Sequence, residues 1–235
     1  KELLARRIHT RSPRRDGPFI PVNCPSISEG LFESQFFGHV KGAFTGAEGD
    51  TLGVVRAAAG GSLLLDEVGD LDLHLQPKLL RLLQEREVTP VGATQPIAVD
   101  VRFIASTNCS LARAVSEGDF RADLYHRLNI VRIEVPPLRS RPEDIEPLID
   151  FYLDDFAETY HMPVRELSPR LRRILSEYPW PGNVRELRAY VERLYAADLP
   201  PMPPSAFATE RTYAPAQAQV LTPNQPEGWQ PADRM

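Results

Sequence analysis

The sequence predicts an open, mostly parallel α/β sheet followed by a small helical domain. Three observations carry this. Gly60-Gly61 opens the run Ser62-Leu63-Leu64-Leu65, which stops abruptly at Asp66-Glu67. A short apolar run of this kind suits a strand buried on both faces, as in a parallel sheet. Strand-like and helix-like segments alternate as far as Pro136-Pro137, the pattern of α/β units. Beyond Pro137 only helical periodicity remains.

The elements follow in order. Leu3, Leu4 and Ile8 recur at helical spacing, so Glu2 to Thr10 reads as a helix. Ser12-Pro13 and Asp16-Gly17-Pro18 mark a loop. Phe19 to Asn23 reads as a short strand, with Pro21 ill-suited to a central position because it lacks an N–H. Ser28 to Phe37 reads as a helix. Leu75, Leu79, Leu82 and Leu83 give a helix with one apolar stripe. Val99 to Ala105 and Ile130 to Val135 read as further strands, the second stopped by the proline pair. The helical part is predicted at Glu143–Tyr160, Ser168–Tyr178 and Pro181–Ala197. Asp144 and Ser168 stand near helix starts, and Pro181 falls in a first turn. From Pro200 onward there are eight prolines and no sustained periodicity, a composition that predicts disorder. The expected division is 1–137 for the α/β core, 138–198 for the helical part and 199–235 for the tail.

Composition narrows the function classes. The 235 residues are 42% hydrophobic and 25% charged, ordinary for a globular chain. A net charge of −5 gives no support for a broad nucleic-acid-binding face. Cys24 and Cys109 lie far apart without metal-type spacing, so reduced thiols in a cytosol are expected. No apolar run approaches membrane-spanning length. The chain starts at Lys1 without an initiator Met and reads as beginning partway through a longer protein.

Two places carry chemistry. In open α/β sheets ligands bind at the carboxyl ends of strands, where Asp66-Glu67 falls. The pair fits a solvated strand edge. The other reading is a Walker B pair, in which Asp66 holds Mg²⁺, usually through water, and Glu67 orients the attacking water. The second place is Gly42-Ala43-Phe44-Thr45-Gly46-Ala47. Glycines at both ends allow a sharp turn. Phe44 then either folds back into the core or is presented at a loop tip to a partner protein.

The hexamer also resembles the GAFTGA signature of bacterial enhancer-binding proteins, AAA+ ATPases that activate RNA polymerase carrying sigma-54. The resemblance runs from Lys1 to about Ala197. Its blocks occur in the family's order: Lys1 to His9, Val22-Asn23-Cys24, Phe37-Gly38-His39, Lys41 with the hexamer, Gly60 to Asp70 and Val101 to Asn108. Phe120 to Asn129, Pro136 to Arg139 and Tyr178 to Leu187 follow. Three positions depart from the pattern. Val40 stands where a glutamate is common, His126 replaces the usual tyrosine, and Pro21 interrupts a normally apolar strand.

The resemblance implies an AAA+ P-loop three-layer α/β sandwich with a helical lid. It implies ATP and Mg²⁺ as cofactors, a homo-oligomeric, hexameric ring, the sigma-54 polymerase holoenzyme as partner and a bacterial cytoplasm. Lys1 corresponds to the lysine that closes the phosphate loop, whose glycines and preceding strand would lie before it; that strand lies inside the family's sheet. Thr107 and Asn108 correspond to sensor I, and Arg185 to the sensor II arginine of the lid. Arg121 and Arg127 correspond to arginines presented to a neighbouring subunit's nucleotide. Asn23 corresponds to the residue that restrains Glu67 until the partner engages, and Gly42 to Ala47 to the sigma-54 contact. The family's helix-turn-helix DNA-binding domain has no counterpart in the Pro-rich tail, so DNA binding would reside outside this sequence. A non-hydrolysing module that binds sigma-54 or other subunits is the alternative function.

Overall fold

The computed structural model describes residues 1–27 and 29–197. The expected start of a helix at Ser28 and the expected disorder of 199–235 lie outside the described residues. The chain divides into two compact units, one from Lys1 to Val135 and one beginning at Pro136.

In the first unit α1 (Glu2–Thr10) precedes β1 (Phe19–Asn23), α2 (Glu29–Phe37) and a single turn, α3 (Val54–Ala57). Then come β2 (Ser62–Asp66), α4 (Gln76–Glu85), the two-residue strands β3 (Glu87–Val88) and β4 (Ile97–Ala98), and β5 (Arg102–Ala105). Helices α5 (Leu111–Glu117) and α6 (Ala122–Leu128) complete it. β1, β2 and β5 form a parallel sheet in the order β1-β2-β5, while β3 and β4 pair antiparallel. The apolar run reads as expected, for Ser62 to Leu65 are buried throughout the central strand. Pro21 is tolerated because β1 is an edge strand and Pro21 is exposed there.

The core follows from the apolar stripes. Phe32 stacks on Phe36 at 4.8 Å, and Phe36 meets Phe37 edge-on at 5.3 Å. All three join Val22, Leu63, Leu65 and the buried leucines of α4 in one cluster. Helix α1 docks by its last turn: buried His9 hydrogen-bonds the buried Ser62 hydroxyl through Nδ1 at 3.0 Å and packs on Phe19. Both contacts are at the amino ends of β1 and β2.

Two strand expectations are corrected. β5 begins at Arg102 rather than Val99, because the backbone of Val99 and Asp100 is used elsewhere: Val99 N–H donates to Arg86 O and Asp100 O accepts from Gly60 N–H, each at 2.8 Å. Ile130 to Val135 is not a strand. Its apolar side chains are exposed, Ile130 by 74% and Val131 by 80%. Period-two hydrophobicity makes a strand only where a neighbouring strand accepts its backbone hydrogen bonds, and among the described residues none pairs with this segment.

The second unit holds α7 (Ile145–Tyr160), α8 (Pro169–Glu177) and α9 (Asn183–Ala196) around a core centred on Trp180, Leu187 and Tyr190. The Ser168 hydroxyl caps α8 by accepting from Leu171 N–H at 3.3 Å. Asp144 stands at the start of α7 but pairs with Arg141 at 3.0 Å instead of capping. Pro181 lies before α9, not within its first turn. Trp180 and Asn183 both take positive φ, and the buried Trp180 ring donates to Leu175 O at 2.9 Å, so the chain turns across Pro181 and enters the helix at Asn183. No helix among the described residues is long and apolar enough to cross a membrane.

The glycine pair before β2 has a steric cause at its second member. A Cβ on Gly61 would stand 1.9 Å from Pro18 O. Gly61→Ala should therefore lower stability by roughly 1–3 kcal/mol, the usual cost of overpacking. Denaturant unfolding checks this, and an unchanged midpoint would contradict the close approach.

Candidate functional site

Parallel register brings the predicted residues to one edge. Asn23 is the register partner of Asp66, and Leu65 that of Ala105, so the carboxyl ends of β1, β2 and β5 align. Asp66 is half-buried there. Ser106 donates its hydroxyl proton to Asp66 Oδ1, and the Glu67 N–H donates to the same oxygen at 3.2 Å. The next carbonyl pairs are equally fixed: Ser106 N–H bonds Leu65 O at 2.8 Å and Val68 N–H bonds Ser106 O at 3.0 Å. β2 and β5 thus continue as a clasp beyond the last formal strand pair.

Glu67 adopts φ 55°, ψ 43°, the left-handed region, and caps a 3-10 turn over Val68–Asp70. Such a conformation costs a non-glycine residue about 1–3 kcal/mol and concentrates at functional sites. It turns the chain directly after Asp66 into the 3-10 turn. Asn23 is exposed and its side chain makes no cap bond to the following turn. Thr107 is half-buried, its hydroxyl accepting from Cys109 N–H at 3.2 Å, and Asn108 is exposed. Lys1 is exposed at the start of α1, with no side-chain cap bond.

The carboxylates set the local electrostatics. Burial pushes the Cys24 thiol up, and the charge of Asp66, then of Asp70 and Glu67, adds to it, taking the group from an ordinary 9.0 to about 12. The chemistry also suits a hard cation. Both hydrogen bonds to the Asp66 carboxylate reach Oδ1, leaving Oδ2 for coordination. Among the described residues no cluster of three or more His, Cys, Asp or Glu side chains forms a closed metal cage. Mg²⁺ commonly binds through one or two carboxylates together with phosphate and water, so this donor set fits it.

The two arginines lie at opposite ends of α6. Arg121 caps its start and grips Asp123 with two bonds, Nε to Oδ1 at 3.1 Å and Nη2 to Oδ2 at 2.7 Å. Those bonds raise the guanidinium's pKa and lower the carboxyl's. Arg127 donates from Nε and Nη2 to Leu83 O on α4, at 3.2 and 2.8 Å. Arg185 is exposed in the first turn of α9, within the second unit.

The glycine-bounded loop lies between α2 and α3 on a bracketed base. His39 and Thr51 exchange backbone hydrogen bonds at 3.1 and 2.8 Å, and Val40 N–H bonds Val91 O at 3.1 Å. Within it, Gly42 and Gly46 take positive φ, and Gly42 N–H bonds Ala47 O at 2.9 Å. Ala47 is buried. Phe44 is 40% exposed and belongs to neither core cluster. Its ring stands edge-on to His39 at 5.0 Å, and the His39 nitrogens meet the hydroxyls of Ser34 and Thr51 at 2.8 and 3.3 Å. Of the two readings of Phe44, the ring folded into the core is therefore excluded.

Several contributors escaped the sequence reading. Ser106 is the first residue beyond β5, and its signal was its place opposite Asp66. Gly69 passes so close to the segment after β5 that a Cβ would stand 2.4 Å from Cys109 Sγ and 2.8 Å from Thr107 Oγ1. Gln76, His39 and Arg56 are visible only in three dimensions.

A parallel α/β unit with a carboxylate pair at its strand ends, followed by a helical unit, is the P-loop AAA+ fold with its lid. Residues 1–134 match the family described as the Sigma-54 interaction domain, and residues 139–201 match the AAA+ ATPase lid domain. The chain belongs to the Sigma-54 interaction domain family. It is 51% identical over 193 residues to the Nif-specific regulatory protein of Herbaspirillum seropedicae, covering 82% of this chain and 36% of that protein. Identity to the regulatory protein AtoC of Escherichia coli K12 is 47% over 210 residues, covering 86% and 46%. The crystal structure of NtrX from Brucella abortus in complex with ATP superposes with a TM-score of 0.78 at 40% identity, over 86% of this chain and 46% of that one. The chain thus spans between a third and a half of these relatives.

The electrostatic picture predicts a contrast between the two thiols. At pH 8 an alkylating reagent should label exposed Cys109 and spare buried Cys24 until the chain is unfolded. Because its folded pKa is raised, the stability associated with Cys24 is present below about pH 9 and declines as pH rises toward 12. Equal labelling rates in the native chain would contradict this.

Proposed function

We propose that this chain is the ATPase part of a sigma-54-dependent transcription activator, coupling ATP hydrolysis to remodelling of the closed promoter complex. The observation that carries the reading is the alignment of Asn23, Asp66 and Glu67 at one sheet edge, in a unit that also bears the Gly42–Ala47 loop. ATP would lie at that edge, with Lys1 toward its phosphates. Asp66 Oδ2 would hold Mg²⁺, which neutralises charge on the β- and γ-phosphates when bound. Glu67 would orient the attacking water, with Asn23 beside it as restraint and Thr107 and Asn108 reading the γ-phosphate. The similarity to NtrX, crystallised with ATP, supports nucleotide binding.

Hydrolysis would occur between subunits of a hexameric ring, where Arg121 and Arg127 reach a neighbour's nucleotide. An arginine supplied in trans is worth roughly 10³–10⁵ in turnover. Both guanidiniums are held within their own unit here, by Asp123 and Leu83 O, so engagement would exchange those bonds for phosphate oxygens. Arg185 would contribute from the lid. The two nucleotide states would differ in how the loop is held, presenting Phe44 and Thr45 to sigma-54 in one of them. DNA contact would belong to a separate domain.

A second reading is favoured by one specific observation. The outer edge of β5 is unpaired and the apolar run from Ile130 to Val135 is exposed among the described residues. Residues 1–235 by themselves would then act as a non-hydrolysing module.

One comparison separates these readings. Residues 1–235 should hydrolyse ATP weakly or not at all, and extension upstream by a strand and a glycine-rich phosphate loop should restore turnover. In the extended chain Glu67→Ala should abolish hydrolysis. Phe44→Ala should leave hydrolysis largely in place while abolishing sigma-54-dependent transcription. Robust turnover by the 235-residue chain, lost on Glu67→Ala, would contradict the first expectation. Transcription sustained by Phe44→Ala would contradict the contact role.

A further inference from the structure

We propose that Gln76 is the positioning residue for the arginine pair, linking it to the carboxylate end of the sheet. The proposal rests on the reading that Arg121 and Arg127 act on a neighbour's nucleotide.

Gln76 opens α4 and is fully buried. Buried amides are costly unless satisfied, and this one is satisfied by backbone alone. Its Nε2 donates to Leu71 O at 2.9 Å and to Asp119 O at 3.0 Å. Its Oε1 accepts from Arg121 N–H at 2.8 Å. These partners come from two separate segments, Leu71 from one and Asp119 with Arg121 from the other. Leu71 directly follows the 3-10 turn that Glu67 caps. Asp119 and Arg121 form the entry to α6.

One side chain therefore joins the segment leaving the carboxylate pair to the start of the arginine-bearing helix. α4 makes a second attachment two turns further on, where Leu83 O receives the Arg127 guanidinium. Between the two attachments Leu79 and Leu124 are buried against the same core. α6 is thus held near both ends by polar contacts and between them by apolar packing. It cannot turn about its axis or slide without breaking bonds that Gln76 makes. A shift at Glu67 would reach Arg121 through Val68 to Leu71 and a single amide.

The geometry demands both halves of the amide. Gln76→Met keeps the length and removes all three bonds. Gln76→Glu keeps the acceptor for Arg121 N–H and places a carboxylate oxygen against the carbonyls of Leu71 and Asp119.

The test uses the chain extended through its phosphate loop, in which each variant is first checked for cooperative thermal unfolding. Gln76→Met should lower ATP turnover by about 100-fold, the scale of an ångström-level misplacement, while nucleotide affinity stays within about twofold, because the subunit's own site is intact. Subunits of Gln76→Met are then mixed with Glu67→Ala subunits, which lack the water-orienting carboxylate but keep well-placed arginines. Turnover should recover at mixed interfaces, as it should for Arg127→Ala mixed with Glu67→Ala. A loss through general destabilisation would not recover in this way. Recovery with Arg127→Ala but not with folded Gln76→Met overturns the role of Gln76. Recovery with neither overturns the trans-acting arginines and this proposal with them. If Gln76→Met does not fold, Gln76→Glu takes its place under the same criteria. Undiminished turnover in the variant tested also overturns the proposal.

Discussion

The hydrogen bond from Ser106 to Asp66 is the interaction on which the rest depends. β2 is buried along its length and ends in a carboxylate. A charge at the end of an apolar strand is tolerable only when hydrogen-bonded. Ser106 and the Glu67 amide supply those bonds. By doing so they fix β5 against β2 beyond the last strand pair and leave one carboxylate oxygen uncommitted. The chain turns at Glu67, directly beyond the clasp. The next turn then leads to Leu71, and through Gln76 to the helix that bears Arg121 and Arg127.

The loop from Gly42 to Ala47 belongs to the same unit but is held on different terms. Its base is pinned by backbone bonds at His39, Val40 and Thr51, while its tip is held by backbone bonds between near neighbours, such as Gly42 N–H to Ala47 O and Ala47 N–H to Phe44 O, and by the contact between Phe44 and His39. Close approach of Gly38 to Thr51 O and Leu52 O, where a Cβ would lie within 2.3 and 2.7 Å, keeps the two stems together. Arg56 reinforces them by donating to both carbonyls. A firm base with a lightly held tip allows a small change at the stems to move an aromatic ring without unfolding the unit.

The parts legible in the sequence were those that local pattern determines. The apolar run before Asp66-Glu67 identified the central strand, and the leucine stripe identified α4. The hexamer identified the loop, because glycines at Gly42 and Gly46 do take positive φ. Other features depend on partners that a single sequence cannot place. Ile130 to Val135 has a strand's periodicity and no strand beside it among the described residues. Glu67 takes a left-handed conformation without being a glycine. Gln76 looks like any polar residue at a helix start, and only the fold brings Leu71, Asp119 and Arg121 around its amide. Pro181 signalled a helix start, but the turn at Trp180 and Asn183 displaced that start by two residues.

Under the proposed function, nucleotide chemistry at the Asp66 edge would change how the loop is held. Backbone amide exchange in the phosphate-loop-containing chain tests it most directly, comparing the ADP state with a complex that mimics the γ-phosphate in transfer. The account predicts that protection changes at both Glu67–Leu71 and Gly42–Ala47, and that Asn23→Ala weakens the change at the loop. A change confined to Glu67–Leu71, with the loop amides identical in both states, would contradict it.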